Sequence, residues 1–247
     1  MKIAIASGKG GTGKTTIAAA LATLAARRGL QTIYVDCDVE APNGHLLLRP
    51  TIERRHPVQR LLPMVDEDLC DHCRACQAAC RFGAIVCLPA SVRVYPDLCK
   101  SCGACVAACP RSAIGETPAA IGRVEAGRAG AVRFVRGVLD IGRPRGIPVI
   151  EAAKAGAEPE FDLALLDAPP GASCPMVTVV RDADLVLLVT DATPFGLADL
   201  ELAAETVQTL GRPAAVVINR CDLGDDRARA FCAARDIPIL AELPHRR

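Results

Sequence analysis

The run KIAIASGKGGTGKTT at residues 2–16 decides the fold of this chain. A short aliphatic stretch is followed by a glycine-rich turn and then by residues that favour a helix. The turn matches the pattern G-x-x-x-x-G-K-[ST], in which glycines allow backbone N–H groups to approach phosphate oxygens. The N-terminus of the following helix adds a dipole that favours anions. The run therefore predicts a strand, a phosphate-binding loop and a helix.

Two side chains of this loop have expected roles: Lys14 reaches the β- and γ-phosphates, and the Thr15 hydroxyl holds Mg²⁺. The residues expected to bind the nucleotide here are consecutive, namely Gly8, Lys9, Gly10, Gly11, Thr12, Gly13, Lys14, Thr15 and Thr16. The same glycines also match G-x-G-x-x-G, with Asp36 and Asp38 beyond the next strand, so a dinucleotide site is the competing interpretation. It does not explain the Lys14-Thr15 pair, which favours a nucleoside triphosphate. A glycine-rich turn without a ligand is the third alternative.

Short aliphatic runs recur along the chain, and helical segments separate several of them. The predicted strands cover residues 2–7, 31–36, 161–167, 184–190, 213–219 and 237–240. Their continuous apolarity is typical of a parallel sheet that is covered on both faces. The predicted helices cover residues 14–28, 197–210 and 225–235. This alternation predicts an α/β fold with a doubly wound, mostly parallel sheet, to which residues 121–150 return as a strand or two.

The alternation stops after residue 38, and nine of the thirteen cysteines fall between about residues 63 and 115. Eight of these nine recur at a constant offset of 29 residues, as from Cys70 to Cys99, which a duplicated unit explains most simply. The eight are Cys70, Cys73, Cys76, Cys80, Cys99, Cys102, Cys105 and Cys109. We therefore expect a nucleotide domain in two parts, residues 1–62 and 116–247, and an inserted domain at residues 63–115.

Each half of the repeat has the spacing C-x2-C-x2-C-x3-C, which is that of bacterial ferredoxins with two [4Fe–4S] clusters. In such proteins the fourth cysteine of each half serves the other cluster. The expected ligand sets are Cys70, Cys73, Cys76 and Cys109 for a first cluster, and Cys99, Cys102, Cys105 and Cys80 for a second. Pro110 follows the last cysteine as in the full pattern, whereas Arg81 follows Cys80. Zinc and disulfides are the alternatives, although structural zinc sites usually take two separated cysteine pairs.

Acidic residues at the ends of two predicted strands complete the expected nucleotide site. Asp167 precedes Ala-Pro-Pro-Gly and is placed to reach the Mg²⁺ shell, and Asp38 is placed to orient the attacking water. Strand-end aspartates also serve as simple caps, which is the alternative for Asp38. Together with the second lysine, Lys9, and with Val35-Asp36-x-Asp38, these residues resemble the MinD/Mrp/ParA class of P-loop ATPases, whose relatives include the nitrogenase iron protein.

The resemblance implies an ATP-sandwiched homodimer in which Lys9 reaches the partner's phosphates, so Lys9, Lys14 and Asp38 are the expected catalytic residues. It also implies that Asn219, at a strand end, reads adenine, with a turn-forming role as the alternative. With the cysteine repeat included, the chain resembles those members of the class that contain an inserted small α+β ferredoxin-like domain. Such relatives usually continue beyond the position of residue 247 into another helix, so no membrane-targeting helix of the MinD kind is expected here.

We expect an ATP-binding, Mg²⁺-dependent ATPase, slow without a partner, that couples a dimer switch to electron transfer through two [4Fe–4S] clusters. An Mrp-type ATPase that assembles or carries iron–sulfur or other metal cofactors is the alternative, and a ParA/MinD-like positioning ATPase is a third. The expected partners are a second copy of the chain and a redox or cofactor-accepting protein.

The bulk composition limits the remaining classes of partner. Twenty-nine basic and 28 acidic residues give a formal charge of +1, without the basic excess of a nucleic-acid surface. No segment approaches the ~18 consecutive apolar residues of a membrane span, and the N-terminal apolar run ends at Ala6, too early for a signal peptide. We therefore predict a cytoplasmic protein without a nucleic-acid or membrane partner, in which thirteen cysteines indicate metal or redox chemistry rather than disulfides.

One cysteine outside the repeat has a possible ligand role. Cys174 lies seven residues after Asp167, and the nitrogenase iron protein has a cluster-ligating cysteine at a similar distance after its corresponding aspartate. Our hypothesis is that Cys174 faces a dimer axis and binds or relays a shared cluster, and a buried, inert thiol is the alternative. The cysteines without ligand spacing are interpreted as packing residues, namely Cys37, Cys87, Cys221 and Cys232.

Overall fold

The computed structural model describes residues 1–144, 146–157 and 161–245, and the chain divides into two compact units. The first unit comprises Met1–His56, Arg123–Leu139 and Arg145–Arg247, and the second comprises Pro57–Gly122 and Asp140–Pro144. The second unit is thus wider than residues 63–115. Among the described residues, no helix has the length and apolarity needed to cross a membrane.

The strands, in chain order, are β1 (Lys2–Ala6), β2 (Thr32–Asp36), β3 (Thr51–Val65), β4 (Ile85–Leu88), β5 (Ser91–Val94), β6 (Ile114–Ala129), β7 (Val132–Leu139), β8 (Leu163–Asp167), β9 (Leu185–Asp191), β10 (Ala214–Asn219) and β11 (Ile239–Leu243). The helices are α1 (Lys14–Arg27), α2 (Gly44–Leu48), α3 (Ala75–Ala79), α4 (Ala104–Ala107), α5 (Ile147–Ala155), α6 (Cys174–Val180), α7 (Pro194–Thr209) and α8 (Arg227–Ala234). A 3₁₀ turn covers Pro96–Leu98.

Nine strands form one sheet in the order β11-β10-β9-β1-β8-β2-β7-β6-β3. Every pair between β11 and β7 is parallel, which confirms the predicted mostly parallel α/β sheet. Only two residues separate β6 from its neighbour β7, so this pair is an antiparallel hairpin. The carboxyl ends of β1, β2, β8, β9 and β10 therefore lie along one edge of the sheet, where ligands bind in open parallel sheets.

Aliphatic and aromatic side chains cover the face of the sheet beneath α1. Ala18 and Ala22 of α1 pack on Ile5, Tyr34 and Phe134, all of them buried. The rings of Tyr34 and Phe134 stack with their centroids 5.7 Å apart. Because alanine is small, α1 lies close to the strands, which fixes the position of the loop that precedes it.

Helix α7 begins three residues earlier than the predicted start at residue 197. Thr193 precedes it, and its Oγ1 accepts a hydrogen bond from the backbone N–H of Gly196 at 3.1 Å. Pro194 then occupies the first helical position, where its missing N–H costs nothing. A capping threonine followed by proline therefore sets the start of this helix.

The second unit contains a short core of its own. Strands β4 and β5 pair antiparallel as a separate two-stranded sheet. Its buried core residues are Cys76, Ile85, Cys87, Val92 and Ile114, and several of the repeated cysteines pack against them. Two of these five buried residues are cysteines, which pack as small apolar side chains beside the aliphatic ones.

Candidate functional site

The loop between β1 and α1 has glycines where other residues would not fit. Gly11 and Gly13 have φ angles of +77° and +96°, in the left-handed region. A Cβ at Gly8 would lie 2.0 Å from the carbonyl oxygen of Asp199, and one at Gly13 would lie 2.5 Å from Nδ2 of Asn219. The glycines therefore allow this loop to lie directly against α7 and the end of β10.

Lys14 is the first residue of α1 and is buried at the end of this loop. Burial lowers the pKa of its ammonium group, and the carboxylates of Asp167 and Asp38 oppose that shift. The structure thus brings together three residues that are far apart in the sequence and were predicted to share a site. Their charges are complementary: the lysine can attract phosphates, and the two carboxylates can attract a cation that accompanies them.

Asp167 ends β8 and is only 1% exposed. Its Oδ2 accepts a hydrogen bond from the Tyr34 hydroxyl at 2.8 Å, whereas its Oδ1 has no hydrogen-bond partner in the described part of the chain. The Thr15 side chain lies near enough to lower the pKa of Asp167, although its geometry is not that of a full hydrogen bond to Oδ1. Burial is the larger influence and raises this pKa to about 6.

Thr12 of the loop is a second residue with an unsatisfied polar atom. Its Oγ1 is buried and, within the ranges that the structure describes, has no hydrogen-bond partner. Buried polar atoms are rarely left without a partner, and an unmet one indicates a ligand, an ion or a water. Orphaned oxygens on Thr12 and Asp167, beside a buried lysine, fit a site for a nucleotide and its divalent cation.

Asp36 and Asp38 follow one another on the neighbouring strand end. Asp36 is fully buried, and its carboxylate accepts hydrogen bonds from the backbone N–H groups of Gly44 at 2.9 Å and Asp38 at 3.2 Å. Burial and the nearby Asp167 raise the pKa of Asp36 to about 7. Asp36 thereby fixes the turn that carries Asp38, whose own pKa is raised by burial and held down in part by Lys14.

Lys9 forms an ion pair within its own chain. Its Nζ lies 3.1 Å from Oδ2 and 3.3 Å from Oδ1 of Asp191, the last residue of β9. Sequence analysis missed Asp191 because the predicted strand ended one residue earlier. Asp191 could have been found from its position at the end of a buried strand, because Asp36 and Asp167 also end buried strands. Gly10 in the loop and Thr16 in the first turn of α1 are exposed, so both are open to a ligand.

Asn219, the last residue of β10, lies against the phosphate loop. Its Nδ2 donates a hydrogen bond to the Thr12 carbonyl oxygen at 2.8 Å, and its Oδ1 accepts one from the Arg220 N–H at 3.0 Å. The structure therefore brings Asn219 to the expected site and gives it a loop-bracing contact. That it also reads adenine stays a prediction.

The second unit repeats its backbone with the 29-residue offset of the sequence. The N–H of Ala84 donates to Cys80 Sγ at 3.3 Å, and the equivalent N–H of Ala113 donates to Cys109 Sγ at 3.3 Å. Helices α3 and α4 are equivalent in the same way, and each begins after a residue of positive φ, Arg74 or Gly103. N–H···S bonds of this kind stabilise thiolates, which is the form that binds metal.

Four of the eight repeated cysteines line one cavity of this unit. One cavity is lined by Cys80 together with Cys99, Cys102 and Cys105, which is the crossed set expected for the second cluster. Of the other set, Cys70, Cys76 and Cys109 belong to the small core, against which Cys80 and Cys105 also pack, and Cys73 is exposed. The crossed grouping is therefore present at the second set, since the cysteine from the first half lies beside the three from the second half.

A carboxylate and an imidazole lie beside the first set. Ligand atoms of Glu67, Cys70 and His72 lie within 4.8 Å of one another, and His72 Nε2 is 3.4 Å from Glu67 Oε2. The spacing of the cysteines gave no indication of this group. Its three donor types are those of a zinc site, which keeps zinc open as an alternative metal for this half.

The remaining cysteines differ in exposure. Cys174, the first residue of α6, is exposed, so the alternative that it is a buried, inert thiol is wrong. The cause is the helix start, because Ser173 is extended and the first turn of α6 begins at the surface. Cys37, Cys87 and Cys232 are buried and Cys221 is partly buried.

These features define a P-loop nucleotide-binding protein. They are a glycine-rich loop between a strand and a helix, and strand-end carboxylates beside a buried lysine. The chain belongs to the CobQ/CobB/MinD/ParA nucleotide binding domain family, whose model matches residues 3–247. This membership confirms the predicted resemblance at the level of the MinD/ParA superfamily.

Relatives and solved structures agree with this assignment. The chain is 34% identical over 222 residues to an uncharacterised protein of Methanocaldococcus jannaschii, which covers 89% of this chain and 78% of the relative. It is 25% identical over 250 residues to an uncharacterised ATP-binding protein of the same organism, covering 99% and 74%. The septum site-determining protein MinD from Pyrococcus horikoshii, solved with Mg-ADP, has the same fold, with a TM-score of 0.57, 20% identity, and coverage of 98% of this chain and 80% of that one.

Asp167→Asn is expected to stabilise the nucleotide-free protein more at pH 8 than at pH 5. Burial raises the pKa of Asp167 from 3.8 to about 6, so the folded chain keeps a proton that the unfolded chain releases. The stability that this proton contributes is lost as the pH rises from about 4 through about 6. Since one pKa unit corresponds to about 1.4 kcal/mol, the advantage of the neutral asparagine should grow by about 1 kcal/mol between pH 5 and pH 8.

Chemical denaturation at both pH values measures this difference. Glu201→Gln, at an exposed position of α7, is the matched control for loss of one carboxylate. An equal pH-dependent change in both variants would contradict the interpretation of Asp167 as a strained, buried carboxyl.

Proposed function

We propose that this protein is a Mg²⁺-dependent ATPase that carries two [4Fe–4S] clusters and couples an ATP-dependent homodimer switch to electron transfer. The observation that supports it best is the cavity in which Cys80 joins Cys99, Cys102 and Cys105. Four thiols in one cavity are the ligand set of a cubane cluster, and the pairing of halves is the one that two-cluster ferredoxins use. Clusters bound at these cysteines would act as one-electron carriers.

The buried oxygens of Thr12 and Asp167 that have no hydrogen-bond partner among the described residues support the nucleotide site. Lys14 binds the β- and γ-phosphates, and Thr15 with Asp167 holds Mg²⁺, which neutralises phosphate charge when bound. Asp38 orients the attacking water, held in place by the bond from its N–H to Asp36. Lys9 exchanges Asp191 for phosphates bound to a second copy of the chain.

The two activities share one chain segment. Asp38 leads through α2 into β3, along which the first unit ends at His56 and the second begins at Pro57. The position of Asp38 depends on the γ-phosphate in this proposal, so ATP binding and the second unit are coupled through a continuous stretch of chain. Order–disorder or shift of such a segment is a common switch in nucleotide-binding proteins. A redox or cofactor-accepting protein is the proposed partner.

A second function is favoured by one observation, the exposure of Cys174. An exposed thiol after the Asp167 strand suits a cluster shared between two copies of the chain, as in an Mrp-type assembly or carrier ATPase. Cys174→Ala with full iron content and unchanged activity would rule out this role. Cys221→Ala, at a partly buried thiol elsewhere in the first unit, is the matched control. A positioning ATPase without redox function would leave both the cavity and the repeat unexplained.

The test is an anaerobic redox titration followed by EPR on the reconstituted protein, with and without MgATP. We expect MgATP to shift a cluster potential by about 59 mV or more, which is a tenfold coupling for a one-electron step. The expected cause is the change of position around Asp38 when the γ-phosphate binds. Two clusters whose potentials do not respond to MgATP would contradict the coupling and favour the assembly function.

A further inference from the structure

The two halves of the cysteine repeat have equivalent backbones and different charges. The position directly after the first cysteine is Asp71 in the first half and Lys100 in the second. The position two residues after the fourth cysteine is Phe82 in the first half and Arg111 in the second. In the crossed assignment, the fourth cysteine of each half belongs to the other half's ligand set. Asp71 and Arg111 therefore lie beside the first set, and Lys100 and Phe82 lie beside the second.

Beside the first set, Asp71 and Arg111 form an ion pair with an N–O distance of 4.0 Å. Beside the second set, Lys100 Nζ lies 5.5 Å from the centroid of the Phe82 ring, and both residues line the cavity of that set. An aromatic face attracts a cation without cancelling its charge. Among the residues that the structure describes, no carboxylate forms a salt bridge with Lys100, so this pair has a net positive charge and the Asp71–Arg111 pair has none.

Glu67 increases the difference. Its carboxylate, His72 and Cys70 Sγ have ligand atoms within 4.8 Å of one another, so a negative charge lies beside a ligand of the first set. The equivalents of Glu67 and His72 in the second half are Pro96 and Ser101, which are uncharged.

The charge that acts in the opposite direction is Glu116, which lines the cavity of the second set. Glu116, Lys100 and Glu67 are all exposed, so solvent and salt screen the three charges alike. Lys100 and Glu116 therefore offset one another at the second set, whereas the Glu67 carboxylate gives the first set the more negative surroundings.

We propose that the cluster on Cys99, Cys102, Cys105 and Cys80 has the higher reduction potential of the two and takes the first electron. The proposal rests on the proposed function, since it requires both clusters. A nearby positive charge stabilises the added electron and a nearby carboxylate destabilises it, and local charge is one of the properties that set the potentials of such clusters. An electron that a reduced partner protein delivers to the first cluster would pass to the second, so that the partner would be oxidised, the second cluster would be reduced and no bond would be broken.

The experiment titrates the anaerobically reconstituted full chain with dithionite as reductant, following each cluster by EPR. The variants are Lys100→Met and Glu67→Gln, and Arg93→Met is the matched control, because Arg93 is an exposed cation of β5 that does not line the cavity. We expect two reduction steps in the unmodified protein. Lys100→Met should lower the higher step by at least threefold in equilibrium constant, or about 30 mV for one electron. Glu67→Gln should raise the lower step, and Arg93→Met should move each step by less.

Two results would overturn the proposal. One is a Lys100→Met variant that shifts the lower step, and the other is a pair of steps that neither Lys100→Met nor Glu67→Gln moves. Iron analysis of the same samples separates this failure from failure of the proposed function. A chain that retains no iron overturns both proposals, whereas a chain with iron for two clusters and unmoved potentials overturns only the order of potentials.

Discussion

Replacing Lys14 with methionine should weaken MgATP binding by at least about 100-fold, the effect of removing one preorganised charged donor from a desolvated phosphate site. Lys14 is buried at the start of α1, where Asp167 and Asp38 both interact with its charge. The methionine keeps the apolar stem and removes the ammonium group, so the carboxylates repel the phosphates without a compensating cation. Isothermal titration calorimetry with MgATP measures the loss.

Lys9→Met is the matched variant, because Lys9 lies in the same loop and pairs with Asp191. We expect it to retain the MgATP affinity of a single chain within about threefold, since under the proposal it contacts phosphates on the second copy. It should lose the MgATP-dependent dimer, which size-exclusion chromatography detects, and with it hydrolysis. Equal affinity losses in both variants, or a Lys14→Met chain that binds within about fivefold of the unmodified protein, would contradict these roles.

Cys109→Ala should remove the first cluster and leave the second, although Cys109 belongs to the second half of the repeat. The structural reason is the crossed grouping, in which Cys80 shares a cavity with Cys99, Cys102 and Cys105. Iron should fall by about half, since each cubane needs its four thiolates. Cys87→Ala, at a buried thiol outside the repeat, is the control and should retain full iron.

Double variants test the crossing itself. Adding Cys70→Ala to Cys109→Ala should cause no further loss of iron, because both residues serve the first cluster. Adding Cys99→Ala to Cys109→Ala should remove the remaining iron. The opposite pattern would show that each half binds its own cluster and would contradict the crossed assignment.

The parallel sheet could be predicted because most of its strands are short aliphatic runs that are largely buried, as in β2, β8 and β9. β3 could not be predicted, since Thr51–Val65 contains several charges and prolines and is mostly exposed. Its strand geometry depends on pairing with β6 at the edge of the sheet, which local sequence does not encode. Proline and charge on an edge strand also discourage pairing with other chains.

Some residues of the candidate site could likewise be predicted from local sequence, whereas others depend on contacts that only the fold creates. Loop and cysteine spacings are local, and they indicated Lys14 and the eight thiols directly. The contacts of Lys9 with Asp191 and of Asn219 with Thr12 join residues 182 and 207 positions apart, so only the fold reveals them. The opposite charges at Asp71 and Lys100 were present in the repeat, but their meaning depends on the pairing with Arg111 and Phe82.

Under the proposed function, one chain holds both a nucleotide and two iron–sulfur clusters. Native mass spectrometry of the anaerobically purified protein with MgATP and Lys9→Met as the dimer control measures both groups on the same molecule. We expect a dimer of two chains whose added mass equals four [4Fe–4S] clusters and two nucleotides. A nucleotide-bound chain with no iron–sulfur mass, or with zinc in its place, would contradict it.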